Sequence, residues 1–246
     1  MARHFVIMSS SYTEGKRIAL DYSKPEQLDS EFLKEKIKKI KEHCGEDVSI
    51  STHFVETETE DWKSLEKADS FFKDVYVTRS ITDFIRLIMK DRVLQGIDVA
   101  RYILSQIKCT HLKLEKLVYL CYAEYLIQEK EKLFIDNIYA FKFGPVVETV
   151  YEKYKQFGNE ELDDTNLVSN NNIMEMPTVS RILFARMGLK KMLYIDQTIK
   201  KYGKYTASQL VEITHKKDTP WDKAFIGENY TPIDDKTILK YHKNES

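Results

Sequence analysis

Apolar and polar positions alternate in short runs over the first ninety residues, which predicts a mixture of strands and helices. Four segments are predicted to be strands: 4–8, 16–22, 48–55 and 75–78, and 48–55 alternates with the two-residue period of a strand. Three segments carry apolar residues at helical spacing: 25–44, 62–68 and a helix opened by Ser80 as its N-cap. Pro25 is expected in the first turn of the first helix, because its fixed φ suits that position.

Helical periodicity dominates after residue 91. The predicted helices cover 97–104, 110–128 and 188–202, and two more begin at the caps Thr206 and Thr219. The helix at 110–128 has one apolar stripe through Leu114 and Leu117 and a second through Tyr119 and Tyr122. A helix with so much apolar surface is either central in a bundle or meets a partner. We therefore expect an α+β protein with an N-terminal α/β domain at 1–92 and a mainly helical domain at 93–246.

The stretch FKFGPVVETVYEKY, residues 141–154, predicts a strand that turns directly into a helix. Gly144 would allow the turn, Pro145 would occupy the first helical position, and Val146 would lie in the helix. The polar segment 159–178 predicts a mobile loop, and the charged last residues are expected to fray.

The composition of the chain argues against several classes of protein. The 246 residues are 42% apolar, and 38 Lys and Arg residues nearly balance 39 Asp and Glu residues, which argues against a nucleic-acid partner. The cysteines, Cys44, Cys109 and Cys121, form no Cys-x-x-Cys pair, so neither a disulfide framework nor a zinc site is expected. No apolar run approaches the length of a membrane span. We expect a cytoplasmic protein that does not enter a membrane.

Catalytic and cofactor-binding motifs are missing from the sequence. It contains no Gly-x-Gly-x-x-Gly, no Gly-x-Ser-x-Gly and no His-Glu-x-x-His. His215 and Asp222 are close enough in sequence to suggest proton transfer, but His215 also suits the end of a helix, where an imidazole bonds free carbonyl groups. We therefore expect no enzymatic activity, no cofactor and no metal.

Four separated blocks resemble the Panacea domain, also called the SocA/GepA-like or phage-associated domain. The blocks are DVARYIL (98–104), LKLEKLVYLCYAEYL (112–126), LFIDNIYAFKFGPVVETVYEKY (133–154) and YTASQLVEITHKKDTPWDKA (205–224). The resemblance covers about 95–230. Besides Tyr119 and Trp221, it is carried by Lys113, Leu114, Lys116, Leu117, Gly144, Pro145, Val146, His215 and Pro220. Phe141 stands where the family often has Trp.

The resemblance implies an antitoxin that neutralises a protein toxin, encoded by a neighbouring gene, through direct contact. One relative delivers its toxin to a Clp-type protease, so a proteolytic adaptor is an alternative, and a DNA-binding regulator is another. The family supplies no set of catalytic residues. Large aromatic residues often anchor interfaces, so Tyr119, Tyr122 and Trp221 are the candidates for partner binding. The other residues that carry the resemblance are expected to be structural, and 1–92 to be an accessory domain.

Overall fold

The computed structural model of this chain describes residues 1–12, 15–24, 29–162 and 178–245. These residues form two compact units, Met1–Val93 and Leu94–Ser246. The first unit is a sheet covered by helices, and the second is mainly helical with short strands, so the predicted α+β class is confirmed. Within the described ranges, no helix combines the length and the apolar character that a membrane span requires.

The described residues of the first unit form a four-stranded sheet and three α-helices. The strands are β1 (Ala2–Ser11), β2 (Lys16–Tyr22), β3 (Ser51–Thr57) and β4 (Val75–Thr78). The helices are α1 (Ser30–Cys44), α2 (Trp62–Ala68) and α3 (Ile81–Arg92). The strand order is β3-β1-β2-β4, with β1 antiparallel to both of its neighbours and β2 parallel to β4.

Both faces of this sheet are covered. On one face, Ile7 and Leu20 pack in a cluster with Ile40 of α1 and Phe84 of α3. On the other, Val6, Met8 and Ala19 pack with Leu65 of α2 and Phe72. Burial on both faces explains why β1 and β2 contain runs of consecutive buried residues.

Two predicted boundaries in this unit are wrong. The helix α1 begins at Ser30, because the Asp29 side chain caps it by accepting hydrogen bonds from the amides of Glu31 and Phe32. Pro25 itself lies outside the described residues. The predicted strand at 48–55 is β3, which begins at Ser51.

The second unit surrounds one long helix. Its helices are α4 (Gly96–Gln106), α5 (His111–Glu129), α6 (Glu148–Tyr154), α7 (Thr178–Phe184), α8 (Gly188–Tyr202), α9 (Ala207–Thr214), α10 (Pro220–Ala224) and α11 (Asp235–Tyr241). Its strands are β5 (Cys109–Thr110), β6 (Ile138–Phe141), β7 (Gly144–Val147), β8 (Glu161–Leu162) and β9 (Thr231–Pro232). The strands form a β5-β8 pair and a three-stranded sheet of order β7-β6-β9.

The helix α5 is the centre of this unit. Every residue from Leu114 to Ala123 is buried, and α5 contacts α4, α8, α9, α11 and β7. Thr110 caps its N-terminus as predicted, by accepting a hydrogen bond from the amide of Lys113. The two apolar stripes of α5 therefore belong to a central helix rather than to an exposed one. The predicted loop at 159–178 falls mostly outside the described residues.

We expect a fragment of residues 1–93 to fold by itself, because its two hydrophobic clusters contain only residues of the first unit. The measurement is a cooperative urea transition followed by circular dichroism, with dispersed amide signals in NMR spectra. A fragment of residues 1–80 is the control: it lacks α3, which supplies Phe84 and Ile88 to the larger cluster, and should not fold. A disordered 1–93 fragment would contradict the prediction of separate domains.

Candidate functional site

The Gly-Pro pair lies in a β-hairpin and not at the start of a helix. Phe141 pairs with Gly144 and Ala140 with Pro145, and the following helix α6 begins only at Glu148. Gly144 has a φ of 105°, which L side chains rarely adopt, so glycine suits this turn. Pro145 is tolerated because β7 is an edge strand, where a missing N–H is least costly. The predicted helical start at Pro145 is therefore wrong.

Two adjacent charged residues of α5 form hydrogen bonds to the backbone of this hairpin. The buried Lys116 donates a hydrogen bond from Nζ to the carbonyl oxygen of Pro145 at 2.7 Å. The buried Glu115 accepts one from the amide of Val147 at 3.3 Å, and its Oε1 atom has no hydrogen-bond partner among the described residues. Burial raises the pKa of Glu115 and lowers the pKa of Lys116, and each charge opposes the shift of the other.

The turn between α9 and α10 positions Trp221, which forms another hydrogen bond to the backbone of the hairpin. Thr219 donates a hydrogen bond from Oγ1 to the carbonyl oxygen of Thr214 at 2.8 Å and so closes the end of α9. Trp221 then donates from Nε1 to the carbonyl oxygen of Phe141 at 2.8 Å. The ring of His215 stacks on Trp221 with 3.6 Å between centroids. Since the bond uses the backbone of Phe141, it does not depend on which side chain stands at that position.

The remaining residues that carry the resemblance are structural in their contacts. Leu114 and Leu117 are fully buried in the core around α5, and Val146 and Pro220 are also buried. Lys113 donates a hydrogen bond from Nζ to the carbonyl oxygen of Gly203, at the end of α8. Thus three of the four blocks, from α5, the β6–β7 hairpin and the α9–α10 turn, meet around the hairpin.

No acid–base pair is assembled at this place. Burial, together with Lys116, lowers the pKa of His215, and no hydrogen bond joins His215 to Asp222, whose carboxylate accepts from the amide of Asp218. Among the residues that the structure describes, no group of three or more His, Cys, Asp or Glu side chains is arranged to hold a metal ion. All three cysteines are buried, and burial raises the pKa of the Cys44 thiol to about 11. A buried thiol of that pKa is not an activated nucleophile.

The structure places Tyr119 and Tyr122 inside the protein. Their exposed fractions are 0% and 1%. The Tyr119 hydroxyl donates to the Glu245 carboxylate, and the Tyr122 hydroxyl donates to Asp235 at 2.7 Å. Both acceptors belong to the C-terminal segment 235–245, which covers the two tyrosines. In this conformation neither can contact a partner directly, which corrects the expectation from the sequence.

The C-terminal segment is held by a buried ionic network, so the expectation that the end of the chain frays is wrong. Glu124 of α5 accepts hydrogen bonds from Lys201 and Tyr202 and lies 3.8 Å from His242 Nε2. Burial alone would lower the pKa of His242, but Glu124 and Glu245 outweigh it and raise this pKa to about 9. The pKa of Glu124 falls to about 2, chiefly because of His242. Both groups are therefore charged near neutral pH.

Large apolar side chains lie on the turn of the β6–β7 hairpin and on the segment 221–230, which bonds the hairpin, and we call Phe143, Trp221, Ile226 and Tyr230 the elbow rim. Trp221 is partly buried, whereas the exposed fractions of Phe143, Ile226 and Tyr230 are 58%, 76% and 48%. The Tyr230 ring lies 4.6 Å from that of Phe141, and the Lys142 amide donates to the Asn229 side chain, which ties the rim together. Several exposed apolar side chains in one place are typical of an interaction surface. Of these four residues, sequence analysis singled out only Trp221 as a candidate for partner binding.

We expect Gly144→Ala to destabilise the protein more than Gly227→Ala. The two glycines have similar φ values, 105° and 94°, so both substitutions introduce backbone strain of about 1–3 kcal/mol. A Cβ at Gly144 would also lie 2.9 Å from Lys116 Cε and 3.0 Å from Thr214 Oγ1, whereas nothing lies within 4 Å of one at Gly227. Urea unfolding should give a larger loss for Gly144→Ala, by about 1–3 kcal/mol. Equal losses would mean that contact with Lys116 does not constrain the hairpin.

We also expect alkaline pH to weaken the C-terminal network. The folded pKa of His242, about 9, exceeds the unfolded value of 6.5, so its stabilisation is complete below pH 6.5 and is lost as pH rises towards 9. The shift corresponds to about 3 kcal/mol at most. His242→Gln should therefore destabilise the protein strongly near pH 6 and much less above pH 9, as measured by urea unfolding. The exposed His43→Gln is the control. An equal effect of His242→Gln at both pH values would show that His242 is uncharged.

Comparison with known proteins identifies the domain. Residues 114–222 match the family model described as "Antitoxin SocA-like, Panacea domain". The chain is similar to the Antitoxin SocA of Caulobacter vibrioides (strain NA1000 / CB15N), at 26% identity over 120 residues, which are 47% of this chain and 60% of that relative. No solved structure shows a significant match. Residues 114–222 of this chain are therefore similar to the SocA-like Panacea domain, which agrees with the resemblance of the four sequence blocks.

Proposed function

We propose that this chain is an antitoxin that suppresses a protein toxin, encoded by a neighbouring gene, by forming a complex with it. The observation that carries the proposal is the family match, joined to the convergence of its blocks on one hairpin with an apolar rim. We place the complex in the cytoplasm. The match covers 60% of the SocA relative, so the partner is inferred from the family and not from the whole relative.

The polar groups around the hairpin support a binding role rather than catalysis. Lys116 and Trp221 both use their N–H groups on backbone carbonyl oxygens, which fixes the position of the hairpin. A group that is held in a structural hydrogen bond within the core is poorly placed to transfer a proton to a bound substrate. We therefore propose that the toxin is bound and not chemically modified.

The elbow rim is the proposed contact surface. Trp221 is fixed by the hydrogen bond to Phe141 and by stacking on both His215 and Phe225, so little of its freedom remains to be lost on binding. Preorganised aromatic side chains in the middle of an interface usually contribute most of its binding energy. Phe143, Ile226 and Tyr230 would then surround Trp221 and exclude water from it.

We expect Phe143→Asp and Ile226→Asp to abolish protection of cells that express the neighbouring toxin. Each change places a charge in the proposed apolar contact, and each should weaken the complex by about 2–4 kcal/mol, measured by calorimetry with the purified toxin. The matched control is Ile135→Asp, whose side chain is also 58% exposed but lies outside the elbow rim. Tyr119→Ala and Tyr122→Ala should instead lower the free energy of unfolding, because both rings fill the core.

Three outcomes would contradict parts of this proposal. Full protection by both rim variants would place the toxin contact elsewhere. Protection with no complex but with a modified toxin would indicate an enzyme. Loss of the toxin only in cells that contain a Clp-type protease would indicate an adaptor. Operator binding is the least supported alternative, because the basic and acidic residues of the chain nearly balance.

A further inference from the structure

The helices α7 and α8 carry a second exposed apolar surface that shares no residue with the elbow rim. We call Val179, Leu183, Leu189 and Leu193 the hairpin face, after the helical hairpin of α7 and α8 and not the β6–β7 hairpin. Their exposed fractions are 41%, 43%, 61% and 51%. Val179 and Leu183 are four residues apart on α7, and Leu189 and Leu193 are four apart on α8, so each pair lies on one side of its helix.

The two helices are held closely at their turn. A Cβ on Gly188 would lie 2.3 Å from the carbonyl oxygen of Leu183 and 2.4 Å from that of Ile182, so only glycine permits this approach. The opposite sides of the helices are anchored, since Ile182 and Ile195 are fully buried in the core around α5. The hairpin face therefore consists of two exposed apolar pairs, one on each of two helices that are fixed in place and contact each other.

The segment around this face is strongly basic. Residues 178–204 contain seven Lys and Arg residues but only one acidic residue, Asp196, whereas the whole chain has a net charge of −1. Several of these cations are used within the fold: Arg181 pairs with Asp98, Lys190 with Glu129 and Lys201 with Glu124. Arg186, Lys200 and Lys204 are exposed and form no ion pair with the described residues. Lys200 falls on the same stripe of α8 as Leu189 and Leu193.

We propose that the hairpin face binds an acidic amphipathic helix of a partner protein. Two adjacent helical ridges can receive a third helix through leucines at the i, i+3, i+4 and i+7 positions. Arg186 and Lys200 would meet acidic side chains at the edge of such a helix. The proposal does not depend on the antitoxin assignment, because it rests on a different set of residues.

The charge of this surface argues against three other occupants of the hairpin face: a second copy of this chain, a membrane and a nucleic acid. A symmetric contact with a second copy of this chain would use the same basic surface on both subunits and would oppose like charges. An anionic membrane attracts a protein by about 1 kcal/mol per basic residue at its surface, and three unpaired cations supply little of that attraction. Nucleic acid would require more free cations than Arg186, Lys200 and Lys204, and leucines between them contribute nothing to phosphate binding.

The test uses the full chain and a fluorescent synthetic peptide of about 15 residues, with leucines at the i, i+3, i+4 and i+7 positions and glutamate at most others. Fluorescence anisotropy should detect binding, and a peptide with lysine in place of glutamate should bind at least about tenfold more weakly. Leu189→Glu and Leu193→Glu should each weaken binding of the glutamate peptide by about tenfold or more. Arg186→Glu and Lys200→Glu should each weaken it by a few-fold and reduce its salt dependence.

Leu239→Glu is the matched control, because Leu239 is an exposed aliphatic residue of α11 that belongs to neither apolar surface, and this variant should leave peptide binding unchanged. If a leucine-to-glutamate variant misfolds, the milder Leu189→Gln replaces it. Equal binding of the two peptides, or no effect of the leucine variants, would overturn the proposal. So would a dimer in analytical ultracentrifugation that Leu189→Glu converts to a monomer. Binding to phosphatidylglycerol vesicles that depends on Leu189 would instead assign the face to a membrane.

Discussion

A helix that is buried on every side must find partners for its polar side chains inside the protein, and α5 is such a helix. Glu115 and Lys116 find theirs on the backbone of β7, and Tyr119 finds its partner on the C-terminal segment. Glu124 is bonded by α8 and lies near His242. An unpaired buried polar group costs several kcal/mol, so each of these pairings constrains where a neighbouring element can lie. The arrangement of the β6–β7 hairpin, of α8 and of the C-terminal segment follows from the polar side chains of one helix.

The same constraint explains what the sequence did and did not predict. The caps at Thr110, Thr206 and Thr219 were predictable because each acts within three residues of its own position. The burial of Tyr119 was not, because its hydroxyl partner, Glu245, is far away in sequence, and a tyrosine without a known partner suits a core or an interface equally well. The charged C-terminus looks mobile in the sequence, but His242 and Glu245 become an ordered pair once α5 supplies Glu124 and Tyr119.

The hairpin was misread for a related reason. Gly-Pro before apolar residues at helical spacing favours a helical start, and the helix does follow, at Glu148. The preceding four residues form a strand because β6 offers backbone partners on one side and Lys116 supplies one from the core. The exposed Phe143 and Ile226 gave little signal, since single apolar residues in polar surroundings are common on protein surfaces.

The residues that carry the family match are largely inside the protein. A family match can therefore transfer the fold of the domain, but it says less about the exposed residues that a partner would contact. Lys116, Gly144 and the turn around Thr219 build the hairpin and fix Trp221 at its edge. A sequence that retains these residues should therefore retain the hairpin and the position of Trp221. The side chains that a partner could touch, such as Phe143, Ile226 and the leucines of the hairpin face, have few contacts that restrict their identity. A scaffold of this kind can hold Trp221 in place and still present different neighbouring side chains without rebuilding its core, so partner specificity should be encoded chiefly in exposed residues such as Phe143 and Ile226, which do not carry the resemblance.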